Sequence, residues 1–268
     1  MEIIGYLLAA LVGISLGLIG GGGSILTVPI LVYAMGVNPV LATSYSLFIV
    51  GTTSLVGAFN NYRKGLVSIK TALLFGLSSI TTVFITRKII MPEIPSVLIS
   101  TKNFHLTQSM ATMILFAVLM LFASIAMIRE KDDATETSDD AAQKDTPVTK
   151  LLLYGVLIGL ATGFLGAGGG FLLIPALVLI LKMPMKKAIG TSLLIIALNS
   201  LIGFTGDIGH FNIDWKFLTI ITLIAVTGIF IGGFLAKKIE GEKLKKAFGW
   251  FVLVMGIYIL VTEIASII

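Results

Sequence analysis

Two glycine runs interrupt two apolar stretches of this chain at matching places, and they limit its possible folds more than any other feature. The first is Gly20-Gly21-Gly22-Gly23-Ser24, followed by a small apolar run to Pro29. The second is Gly166-Ala167-Gly168-Gly169-Gly170, followed by a similar run to Pro175, 146 positions later. Glycine costs about 1 kcal/mol per helical residue relative to alanine. Inside a membrane segment such a run unwinds the helix unless neighbouring protein or a ligand takes up the freed backbone groups. Matching interruptions in two halves of a chain are the sequence sign of a transporter binding site.

The setting of the runs is membrane-like. Hydrophobic residues make up 56% of the chain and charged residues 12%, against about 25% charged in ordinary soluble domains. The net charge of +5 comes from lysines and arginines that punctuate apolar stretches, which points to membrane topology and away from a nucleic-acid surface. There are no cysteines and two histidines, so no thiolate site and no metal centre are expected. The first apolar stretch lacks a basic start and a clear cleavage site and is expected to remain as a helix.

Hydropathy divides each half into five apolar segments: 3–19, 24–35, 40–59, 67–85 and 106–128, then 151–165, 171–181, 188–205, 213–236 and 246–264. Crossing the hydrocarbon takes about 20 helical residues, so the first two segments of each half are short and broken at the glycines. Seven of the fourteen acids lie between Glu130 and Asp145, a solvated linker by composition. The domains are therefore a first membrane repeat (1–128), an acidic cytoplasmic linker (129–149) and a second membrane repeat (150–268). Ser54-Leu55-Val56-Gly57 matches Ser200-Leu201-Ile202-Gly203 at the same offset of 146, whereas Thr43-Ser44 matches Thr191-Ser192 only at 148.

An odd number of crossings per unit puts equivalent loops on opposite faces. The fold expected is an all-α polytopic membrane protein of two inverted-topology repeats, multi-pass in the cell (inner) membrane. Lysines at 182, 186 and 187, and again at 237, 238, 243, 245 and 246, mark inner loops, as do Arg63, Lys64 and Lys70. This places both termini outside. Arg87, Lys88 and Lys102 fall outside on that scheme and oppose it. Tyr33, Trp215, Trp250 and Tyr258 read as interfacial aromatics.

The glycine runs, Ala42-Thr43-Ser44, Asn61-Tyr62-Arg63-Lys64-Gly65-Leu66-Val67 and Gly209-His210-Phe211-Asn212-Ile213-Asp214-Trp215 together resemble the sulfite exporter TauE/SafE family. The resemblance covers nearly the whole chain apart from the acidic linker and the 91–105 loop. It implies a transporter, not an enzyme, for small sulfur-containing anions such as sulfite or organosulfonates. The copies differ from each other: Ser24 stands opposite Gly170, Ala167 opposite Gly21 and Ser68 opposite Asp214.

A helix restarting after glycine offers bare N–H groups and a positive dipole end to an oxyanion. The expected anion site is Gly20, Gly21, Gly22, Gly23 and Ser24 facing Gly166, Gly168, Gly169 and Gly170 near the bilayer midplane. Hydroxyls of Thr43, Ser44, Thr191 and Ser192 would help. The plainer alternative is close helix packing by small residues, with the hydroxyls bonded to their own backbone. Asp207 and His210 could couple protons, against the plainer reading of a solvated loop pair. No cofactor or nucleic acid is expected; the partners are the lipid bilayer and the anion. A channel using the same residues is the alternative to a carrier. A membrane-embedded enzyme is a remote third reading, because no nucleophile with a base and no paired carboxylates lie in the segments.

Overall fold

A computed structural model describes residues 2–101, 104–129, 148–181, 183–235 and 241–265. The acidic linker expected at 129–149 lies outside the described residues, except for its two ends. The described chain is a helical multi-pass membrane protein, and five helices among the described residues are long and apolar enough to cross a bilayer.

In the first half, α1 (Glu2–Ile19) tightens into a 3₁₀ stretch, Gly20–Leu26, and continues as α2 (Thr27–Pro29) and a π-helical stretch, Ile30–Ala34. Then come α3 (Pro39–Arg63) and α4 (Ile69–Ile85). A second π stretch, Thr86–Ile90, carries α4 into α5 (Met91–Glu93). An antiparallel hairpin of β1 (Val97–Thr101) and β2 (Phe104–Thr107) leads to α6 (Gln108–Arg129). The second half has α7 (Val148–Leu165), α8 (Gly170–Pro175) with its π stretch Ala176–Ile180, α9 (Met185–Asp207), α10 (Trp215–Leu235) and α11 (Gly241–Ala265). The hairpin is an addition to the all-α expectation; its run Val97-Leu98-Ile99 is the kind of sequence that strands favour.

The prolines explain two of the π stretches. Proline has no N–H to give to the turn before it, and the backbone loosens into a π bulge directly after Pro29 and directly after Pro175. Both stretches sit at the same offset of 146.

The constant offset extends to the packing. Helix α1 lies along α10 as α7 lies along α4, and α3 packs on α10 as α9 packs on α4. Gly13 and Gly17 bring α1 onto the backbone of α10 at Ala225 and Ile229; Gly159 brings α7 onto the backbone of α4 at Ser79, and Gly163 receives the Thr86 side chain of the α4 rod. Small residues that admit such close approach are the usual contact in membrane helix pairs. Gly17 and Gly163 are thus packing glycines.

At the centre, α3 and α9 run antiparallel: Leu47 lies at Gly203, Gly51 at Leu201 and Gly57 at Leu193. The corner between α9 and α10 is fixed by Trp215, edge-on to both Phe48 and Phe204. Tyr33 ties the first half to α11. Its hydroxyl donates to Glu263 Oε1 at 2.8 Å, and its ring stands edge-on to Tyr258.

The register also corrects the pairing of Thr43 with Thr191. Ser68 N–H donates to Thr191 Oγ1, and the corresponding Asp214 N–H donates to Tyr45 Oη. Tyr45 is therefore the counterpart of Thr191, at 146, and the two-residue slip disappears.

Candidate functional site

The two glycine stretches pack against each other, and the first also against α3 and α9. They are not built alike. In the first, Gly20, Gly21, Gly22 and Gly23 stay helical within the 3₁₀ stretch, so no break opens there. In the second, Gly166, Gly168 and Gly169 hold φ near +70°, and α8 restarts at Gly170 with Gly169 as its left-handed N-cap. Only glycine accepts that conformation without strain. Gly170 is itself helical, as is Ser24 opposite it, so the left-handed break does not account for that exchange. The matched pair of restarting helices expected from sequence is realised in the second copy alone.

The second stretch is wedged between the central helices. A side chain at Gly166 would strike Thr43 of α3; one at Gly168 would meet Val50 of α3 and Ile196 and Ser200 of α9. At Gly169 it would strike Thr162 Oγ1 of α7. The Thr162 and Ser200 hydroxyls beside this stretch are buried and find no partner among the described residues, as does Thr27 directly after the first stretch; Ser46 and Ser54 of α3 are likewise buried and unpartnered. Unpaired buried polar atoms are uncommon in folded proteins. The cavity alongside Thr27 measures about 10 Å³ and is otherwise apolar, too small for an oxyanion.

The four helix-start hydroxyls divide. Thr43 and Ser192 bond back to Val40 and Ile189 carbonyls, and Thr191 is taken by the Ser68 N–H. Ser44 is buried without a well-formed hydrogen bond and lies beside the Asp207 carboxylate.

Asp207 differs most from its sequence reading. It is 1% exposed, and its Oδ2 accepts from Arg87 Nη1 at 3.2 Å. It is therefore no solvated loop residue. His210, by contrast, is exposed, on the turn whose N–H bonds the Asp207 carbonyl. Arg87 was read as a loop charge; it lies in the π stretch that prolongs α4 and is fully buried. Its Nε and Nη2 find no partner among the described residues.

Two turns toward the N-terminal ends of these helices, Asn199 Nδ2 donates to Ser79 Oγ at 2.7 Å. The facing pairs Ser79–Asn199, Val83–Gly203 and Arg87–Asp207 form a ladder with a four-residue step. Its polar rungs run from the end of α9 to the level where Ser200 meets Gly168. Near that end, the loop lined by Ile208, Gly209, Phe211, Asn212 and Trp215 bounds an open depression of about 450 Å³.

Sequence reasoning missed Arg87 because the apolar segment was ended at Ile85. The available signal was that Ile89, Ile90 and Met91 resume the apolar run after two basic residues.

The model of the family described as sulfite exporter TauE/SafE matches residues 6–259. A Xylella fastidiosa (strain 9a5c) protein described as a "probable membrane transporter protein" is 32% identical, covering 96% of this chain and 94% of its own length. The "probable membrane transporter protein YdhB" of Bacillus subtilis (strain 168) is 24% identical, covering 88% of this chain and 91% of its own. No solved structure matches. With glycine stretches, central helices and end-to-end match in agreement, this chain belongs to the TauE/SafE sulfite exporter family of membrane transporter proteins.

Proposed function

We propose that the protein is a secondary carrier exporting a small sulfur-containing anion, such as sulfite or an organosulfonate. The anion binds where the two glycine stretches meet between α3 and α9. The observation that carries this reading is their mutual packing amid buried, unpartnered hydroxyls. The restart at Gly170 supplies backbone N–H groups and a positive dipole end. Ser200 and Thr162 supply hydroxyls beside it. Each helix end contributes at most about 2 kcal/mol to holding an anion, an affinity low enough to permit release.

Two inverted repeats fit the packing, because the equivalent helices α3 and α9 run antiparallel at the centre. In this arrangement the linker is cytoplasmic and the termini are outside, in the inner membrane. Alternating access then requires the site to open toward one face at a time. An interior-negative potential of 100 mV favours outward movement of one negative charge by about 2.3 kcal/mol, so export needs no nucleotide. The glycine run with Ser24 lacks the lysine of a phosphate-binding loop.

The test is uptake into proteoliposomes of sulfite, sulfate, thiosulfate, sulfoacetate and taurine, with and without a pH gradient. Saturable uptake of at least one is expected; saturation by none overturns the substrate class. The absence of native cysteines makes single-cysteine labelling from either side a clean check of topology.

A further inference from the structure

We propose that the buried Arg87 guanidinium is an oxyanion receptor at the end of the α4–α9 interface, with Asp207 as its built-in competitor. The proposal deepens the carrier reading above and rests on it for the role of the site in transport. The argument is one of geometry. Arginine presents a flat fork whose Nε and Nη2 hydrogens point the same way along one edge and match two oxygens of a carboxylate or sulfonate. Asp207 leaves that edge alone. It meets Nη1 from the side, through one oxygen at 3.2 Å, a poor use of a group able to make a paired contact. The fully buried edge finds no partner among the described residues. Ser44 Oγ, also buried, lies beside the carboxylate and adds a donor.

The second repeat indicates that this charge is not needed for the scaffold. The positions corresponding to Arg87 and Asp207 are Gly233 and Asn61. A side chain begun at Gly233 would meet nothing within 4 Å, whereas one at Gly206 would touch Arg87 Cβ. The same helix pair is therefore built twice, and the guanidinium is added once. It stands two turns along the ladder from Asn199 and Ser200, beside the depression at the 208–215 loop. This is the place for an anion to pause between that mouth and the glycine stretches.

Asp207 occupies Arg87 when no anion does, and protonation of the carboxylate releases the fork. The charged and titratable groups around Asp207 are Arg87 and Lys88 from the π stretch and His210 from the following turn, while α3 presents Ser44. Lys88 is exposed, its Nζ lying over the Phe84 ring.

The experiment is calorimetric titration of the purified full chain with methanesulfonate, whose charge does not change between pH 5 and 8, and with chloride as a control. D207N is expected to bind methanesulfonate about tenfold tighter than the native protein. Native binding should strengthen as pH falls, and D207N binding should be flat with pH. R87K keeps the charge without the fork and should bind at least tenfold more weakly. R87Q/D207N, which removes both charges together, should remain folded and bind nothing. If folded D207N binds no methanesulfonate, or if R87K and R87Q/D207N bind as the native protein does, Arg87 is a structural tie and the proposal falls. Failure of every sulfur anion in the uptake panel, with Arg87-dependent binding intact, would overturn the substrate class and leave this site standing. Normal uptake in R87K would do the reverse.

Discussion

The α4–α9 interface and the α10–α3 interface are built from corresponding helices at the same offset, yet one is polar and the other is not. Ser79–Asn199, Val83–Gly203 and Arg87–Asp207 face each other in the first. The corresponding positions in the second are Ala225–Thr53, Ile229–Gly57 and Gly233–Asn61. Thr53 turns back to its own Ile49 carbonyl, and Asn61 Nδ2 to Gly57. The middle rung, a glycine receiving an aliphatic side chain, is kept in both. The difference separates two tasks. Glycine and aliphatic contacts build the scaffold and tolerate duplication, while the buried charge was placed on one side, where it is costly unless paired.

Six substitutions probe that contrast, beginning with the most damaging. Arg87→Ala strands the Asp207 carboxylate in the interior. It should cost about 3–5 kcal/mol, read as a sharply lowered melting temperature in detergent. Gly13→Ala and Gly159→Ala test the shared scaffold: each new methyl would strike backbone across its helix pair, at Ala225 and Ser79. Each should cost about 1–3 kcal/mol, and a large inequality between them would break the equivalence of the two pairs. Asn199→Leu removes the bond to Ser79 and leaves a buried hydroxyl alone, for about 1–3 kcal/mol. Its counterpart Thr53→Val loses only a bond to its own helix and should melt within a few degrees of the native protein. Gly233→Ala, in open space on a helix, should be the mildest, neutral or stabilising by up to about 1 kcal/mol.

The duplicated scaffold was readable in the sequence because glycine and proline leave marks that do not depend on distant partners. The runs at Gly20 and Gly166, with Pro29 and Pro175 after them, set the offset before any contact was known. Thr191 was mismatched because short Thr-Ser pairs recur by chance and helix starts are not visible in composition. Its counterpart Tyr45 was revealed only by two hydrogen bonds to chain segments far away in sequence. Arg87 was hidden for a related reason. A basic residue after apolar sequence reads as a loop, and its partner Asp207 stands 120 positions further on, a pairing that one sequence does not encode locally. The asymmetry of the two glycine stretches was also beyond reach, because a glycine run permits a left-handed break without requiring one. Gly23 stays helical while Gly169 does not.

The central claim is that an anion passes between the glycine stretches, and exchange of labelled sulfite across proteoliposomes tests it most directly. Native protein should show saturable exchange, and Gly169→Val should insert and fold yet exchange nothing, because the valine would fill the space at Thr162 and force a left-handed residue out of shape. Gly23→Val, whose side chain would press on Ser15 and the Leu16 backbone of α1 and so displace the first stretch, should also insert and exchange nothing. Native rates in both variants would contradict the account.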